Sequence, residues 1–149
     1  MKIVLDTNVF ISGVFFTGSP YEILNAWHQG KVELVLSMAI VTEYQRVGER
    51  LSSQFPGVDL QPFLDLIAVK ATIVTVPALR EPVCADPDDD QFLACAIAGG
   101  AEVIVSGDKH LLNVSGFEGI MVMKPRDSLK TSSGRDPSYS PLATRISSA

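Results

Sequence analysis

DPDDDQFLACAIAGGAEVIVSGDKHLL, residues 86–112, holds one complete helix-to-strand unit. Asp86-Pro87 leads into a helix running through Ala98, closed by Gly99-Gly100 in the left-handed conformation that follows many helix C-termini. Val103–Val105 is a short, continuously apolar run, and Ser106-Gly107-Asp108 stands just past its carboxyl end. A strand without polar alternation suits a parallel sheet covered by helices on both faces. Four similar runs lie at residues 2–5, 32–36, 73–76 and 120–123. Between them, Ser19-Pro20 supplies an N-cap and a first-turn proline for a helix to about Gln29, with Gly30 as its stop. Ser37 caps a helix over 38–51, and Asp59 opens another to about Lys70, with Leu60, Phe63, Leu64, Ile67 and Ala68 on one face. The order β-α-β-α-α-β-α-β-α-β predicts a doubly wound α/β domain.

A chain of 149 residues, 46% apolar and with mean hydropathy +0.24, fits one globular domain and excludes disorder for its body. Cys84 and Cys95 make no disulfide framework, and Cys95 within the apolar run 92–97 reads as a small hydrophobe, as in a cytosolic protein. Only three apolar residues separate Lys2 from Asp6, too few for a secretory signal, and no apolar run approaches the ~20 residues of a membrane span. A soluble, cytoplasmic protein without a membrane partner is expected. Composition changes at residues 128–149, where seven Ser, two Thr, two Pro and one Gly make a polar tail after a body of residues 1–127. Such a tail would be mobile unless a neighbouring subunit held it through Tyr139, Leu142 and Ile146.

The formal net charge of -5 speaks against electrostatic binding of nucleic acid. The location of the charge changes that reading. Residues 1–127 hold nine basic and 16 acidic side chains; setting aside Asp6, Glu43, Asp86, Asp88, Asp89, Asp90 and Asp108 leaves nine of each. The excess is local, and clustered like charges cost stability unless a cation or proton compensates them. Asp6 and Asp108 each follow a strand, at the end where open parallel sheets bind ligands when strand order reverses. If the first and fourth strands are neighbours, the two acids converge on one crevice. Glu43, early in the helix capped by Ser37, can overhang it. Asp90 shares a stripe with Leu93, Ala94 and Ile97 and is assigned inward, while Asp89 points about 100° away. Carboxylates alone make an all-oxygen site suited to Mg²⁺ or Mn²⁺, and neither His28 nor His110 belongs to a zinc-like spacing.

Four blocks, IVLDTNVFISG, SMAIVTEYQRV, DPDDDQFLACAIAGGAEVIVSGDKHLL and IMVMKPRDSL, are similar in order and spacing to the PIN-domain (PilT N-terminus-like) family. The likeness spans residues 2–129 and is to its bacterial and archaeal branch of VapC-like toxin components. It implies a three-layer α/β/α fold with a five-stranded parallel sheet in order 3-2-1-4-5. It further implies a Mg²⁺- or Mn²⁺-dependent ribonuclease, a homodimer, and inhibition by a cognate antitoxin protein. Position by position, the resemblance puts the family's acids at Asp6, Glu43, Asp90 and Asp108 as catalytic metal ligands. Asn8 and Ser106 match supporting polar positions, and Asp89 is the neighbour with which Asp90 is most easily exchanged.

Each acid also has an ordinary reading. Asp6 can cap a following helix, Glu43 can pair with Arg46 or Arg50, acids favour helix N-termini, and Asp108 can cap a turn. Singly these suffice; together they leave unexplained why four acids map to one end of the sheet. Lys109, His110, Lys124 and Arg126 are candidate phosphate contacts, with Arg46 and Arg50 preferred. Trp27, Phe15, Phe16 and Phe63 read as core or subunit contacts. Two other functions fit less: a phosphatase with Asp6 as nucleophile lacks a second aspartate at Asn8, and an RNA- or protein-binding module would keep the fold without cutting.

Overall fold

The strands Lys2–Leu5 (β1), Glu33–Leu36 (β2), Thr72–Ile73 (β3), Val103–Val105 (β4) and Met121–Met123 (β5) form one parallel sheet in order β3-β2-β1-β4-β5. This is the predicted sheet, and the computed structural model describes residues 1–77, 79 and 81–132. Ile3 of the central strand pairs with Leu34 on one side and Val103 on the other, so strand order reverses at β1. Val4, Leu5, Leu34, Leu36, Ile104 and Val105 are completely buried, which explains the absence of polar alternation. The edge strand β3 is shorter than the predicted 73–76. Val74 N–H still pairs with Leu36 O at 2.9 Å, but beyond it the chain leaves the sheet.

Seven helices surround the sheet among the described residues: Thr7–Phe15 (α1), Ser19–His28 (α2), Met38–Ser52 (α3), Gln61–Lys70 (α4), Asp90–Gly99 (α5), Lys109–Leu112 (α6) and Pro125–Ser132 (α7). Helix α1 has no counterpart in the periodicity reading. Val9, Phe10, Ile11, Val14 and Phe15 are all buried, so an almost wholly apolar helix showed no polar face to mark it. Ser19 lies inside α2 behind an N-cap at Gly18, which offers no side-chain bond, whereas Ser37 caps α3 as predicted by accepting from Ile40 N–H. Helix α7 crosses the compositional change at residue 128, and Tyr139, Leu142 and Ile146 lie outside the described residues. Cys84 and Cys95 are free and buried. No described helix is long and apolar enough to cross a membrane.

Two contacts position the strand ends. Helix α5 packs across β1, β2 and β4, and it approaches β2 closely because Gly99 has no side chain: a Cβ there would lie 2.2 Å from Val35 Cγ1. Only Gly100, at φ +67°, adopts the left-handed conformation expected of the pair. Helix α3 is tied to α1 by Phe10 and Tyr44, whose rings stack 4.1 Å apart, and the buried Tyr44 hydroxyl donates to Leu5 O at the end of β1. Gly99→Ala is expected to cost about 1–3 kcal/mol through overpacking against a β-branched side chain. Gly57→Ala, where a Cβ meets nothing within 4 Å, should be neutral by comparison; urea unfolding midpoints of both variants check this.

Candidate active site

The β1–β4 ladder continues one residue beyond the strands, with Asp6 N–H donating to Val105 O at 3.1 Å. That bond sets the Asp6 side chain against Ser106. Asp6 is only 4% exposed, and its two oxygens have separate tasks. Oδ1 accepts from Val9 N–H at 2.8 Å, capping α1, while Oδ2 accepts from the Ser106 hydroxyl. The Ser106 oxygen, wholly buried, in turn accepts from Asp108 N–H at 2.9 Å. Asp108 Oδ1 accepts from His110 N–H at 2.7 Å and so caps α6. One serine hydroxyl therefore joins the two acids that end adjacent strands.

Glu43 reaches the same end of the sheet from α3. Its Oε2 accepts from the Thr7 hydroxyl and its Oε1 from Gln91 Nε2 at 3.3 Å. Arg46, the cation beside it, is 3.9 Å away with its side chain 64% exposed, an ion pair of little energetic consequence. Neither Thr7 nor Gln91 was singled out by sequence reasoning. Each adjoins a residue that was, but spacing shows no bond partner.

Asp89 and Asp90 exchange the places that sequence phase assigned them. Asp90 turns away from the cluster: its carboxylate accepts from Cys84 N–H at 2.7 Å and Val83 N–H at 3.1 Å, anchoring the segment before a 3₁₀ turn at Pro87–Asp89. Asp89 faces the cluster instead. Its Oδ2 is buried without a hydrogen-bond partner and lies 3.9 Å from His110 Nδ1, which is itself 3.8 Å from Asp108 Oδ1. Burial along α5 does not by itself separate the two acids: Phe92, Leu93, Ala94, Cys95 and Ala96 are all buried, and Ile97, seven residues after Asp90, is 42% exposed. Asn8 is exposed on α1, as are Arg46, Arg50 and Lys109 on their helices.

Two of these carboxylates, Asp6 and Asp89, resist ionisation. Burial pushes Asp6 up to about 6 against the opposing bonds from Ser106 and Val9, with Asp108 and Glu43 adding repulsion. Burial likewise pushes Asp89 up to about 6, helped by Asp108 and Asp86 and opposed by His110. An orphaned buried carboxylate oxygen facing other acids fits a bound cation. Oxygen donors predominate, as hard divalent ions prefer, and His110 adds one nitrogen: single ligand atoms of Asp86, Asp89 and His110 lie within 4.8 Å of one another.

Without divalent cation, the folded protein holds protons at Asp6 and Asp89 that the unfolded chain releases above pH ~4, so stability falls as pH rises towards 6. In chelator, Asp6→Asn should therefore be more stable than wild type at pH 8, by up to about 3 kcal/mol, and no more stable at pH 4. Asp89→Asn should shift in the same direction, while Asp90→Asn should lose about 1–3 kcal/mol as Val83 and Cys84 lose their charged acceptor. Urea unfolding at the two pH values checks all three, and destabilisation by Asp89→Asn with stabilisation by Asp90→Asn would reverse the assignment.

Comparison with known proteins agrees with this geometry. The chain matches the PIN domain model over residues 2–110. It is also 30% identical over 118 residues to the uncharacterized protein MJ1680 of Methanocaldococcus jannaschii, covering 76% of this chain and 75% of that one. PIN domains are generally nucleases and typically bind divalent metals, and the acidic cluster is positioned to hold one. From the parallel sheet, the acids at the ends of β1 and β4 and the match over most of its length, the chain belongs to the PIN-domain family.

Proposed function

We propose that this protein is a Mg²⁺- or Mn²⁺-dependent endoribonuclease and the toxin of a toxin–antitoxin pair. The observation carrying the enzymatic part is the buried Asp6, which shares the ends of β1 and β4 with Asp108, Asp89 and Glu43 and has no lysine or arginine paired to it among the described residues. A divalent cation held by these carboxylates would supply Lewis acidity for the phosphoryl oxygens and for an attacking water.

The chain's own groups hold and orient. Asp6, Asp89 and Asp108 would hold the cation, with Asp86 and His110 beside Asp89; Ser106 positions Asp6 against Asp108; Thr7 and Gln91 hold the Glu43 carboxylate from both oxygens. Asp90 acts outside the reaction by fixing residues 83 and 84. Arg46, exposed beside Glu43, is the base best placed for phosphate, with Arg50 and Lys109, also exposed, as further candidates. A covalent role for Asp6 would ordinarily call for a second aspartate two residues later, where Asn8 stands. The toxin role, a cognate antitoxin and a homodimer rest on the likeness of the four sequence blocks to that branch, and they are part of the same proposal.

Cleavage of single-stranded RNA in Mg²⁺ or Mn²⁺ tests it. Asp6→Asn and Asp89→Asn should lose at least about 100-fold in rate, Asp90→Asn less than about tenfold, and expression should arrest growth only for forms that cut. Equal cleavage by wild type and Asp6→Asn would overturn the nuclease assignment.

A further inference from the structure

A cavity of ≈ 730 Å³ opens between the start of α3, the segment following β3 and the start of α5. Its walls are mainly apolar, from Met38, Ile73, Val76, Leu79 and Pro82, with Met38 61% and Ile73 45% exposed. A few polar groups, Thr75, Glu81 and Gln91, interrupt them. A concave apolar space with few polar groups is the form of a small-ligand site, and its volume falls within the ~300–1,000 Å³ usual for one.

The cavity joins the acid cluster. Gln91 stands in both, lining the cavity while its Nε2 donates to Glu43 Oε1 at 3.3 Å. Ala39, also in the wall, lies one helical turn before Glu43 on the same face of α3. The charged residues of the described lining are Glu81 and Asp90, which repel phosphate but not a neutral ring. A nucleobase has apolar faces suited to aliphatic walls and the Met38 thioether, and an edge of donors and acceptors suited to the Gln91 amide and Thr75 hydroxyl.

We propose that this cavity receives an unpaired nucleobase beside the scissile phosphate, with Gln91 linking the bound base to Glu43. This rests on the nuclease reading and adds to it a seat for one base, which must be unstacked to enter.

Nucleosides test the cavity without phosphate, metal or turnover. The full chain, in chelator, is titrated with adenosine, guanosine, cytidine and uridine and followed by amide NMR. At least one nucleoside should shift Ile73, Val76, Gln91 and Ala94 while leaving α2 unmoved, and Ala39→Trp, filling the cavity from an exposed helix position, should weaken that binding at least about tenfold. Unchanged Mn²⁺ affinity in Ala39→Trp shows that the variant is folded. RNA cleavage without nucleoside shifts overturns the cavity assignment alone, as does equal nucleoside binding by Ala39→Trp. Self-association through Met38 and Ile73 that blocks nucleosides overturns it in favour of a second copy. Nucleoside shifts without RNA cleavage support the base site and count against the nuclease reading.

Discussion

The hydroxyl of Ser106 is the smallest group on which the active end of this fold depends. It donates to Asp6 and accepts from the Asp108 backbone, fully buried, at the point where strand order reverses. Parallel pairing of β1 with β4 brings the two chain segments level, and the hydroxyl fixes them side by side. Both aspartates also cap helices with one oxygen. Capping and clustering are thus one arrangement: the helix N-terminus holds the carboxylate still, and its remaining oxygen is free to serve a cation or a hydroxyl.

The arrangement carries an electrostatic cost. Asp6 and Asp89 are held close to Asp108 with no lysine or arginine paired to either among the described residues; His110 Nδ1 lies 3.9 Å from Asp89, and Arg46 is mostly in water. Apolar packing from the sheet, the Phe10–Tyr44 stack and the close seat of α5 on β2 hold these groups in place despite their repulsion. Strain of this kind is common where a charged ligand will supply the missing counter-charge. The net charge of -5 is therefore a poor guide to partner, because the excess is concentrated where a cation belongs.

Much of this was legible in the sequence, for identifiable reasons. Continuously apolar strands announced a parallel sheet, and acids just past Leu5 and Val105 announced the crevice, because position after a strand fixes position in space. Helix α1 was hidden by its own burial. Helical phase could not separate Asp89 from Asp90, because Phe92, Leu93, Ala94, Cys95 and Ala96 are all buried, while Ile97, a core residue by chemistry, is exposed on α5. Thr7 and Gln91 could not be found by spacing, since their bonds to Glu43 span 36 and 48 residues. Such contacts are set by tertiary packing, which local pattern does not encode.

The central claim is that these acids form one cation site assembled through Ser106. Calorimetric titration of the full chain with Mn²⁺ at pH 6 and pH 8, in buffers of different ionisation enthalpy, tests it most directly. Because Asp6 and Asp89 are pushed up to about 6, binding at pH 6 should release about one proton, binding at pH 8 almost none, and Ser106→Ala should bind at least about tenfold more weakly. Binding without proton release at pH 6, or with full affinity in Ser106→Ala, would contradict the account.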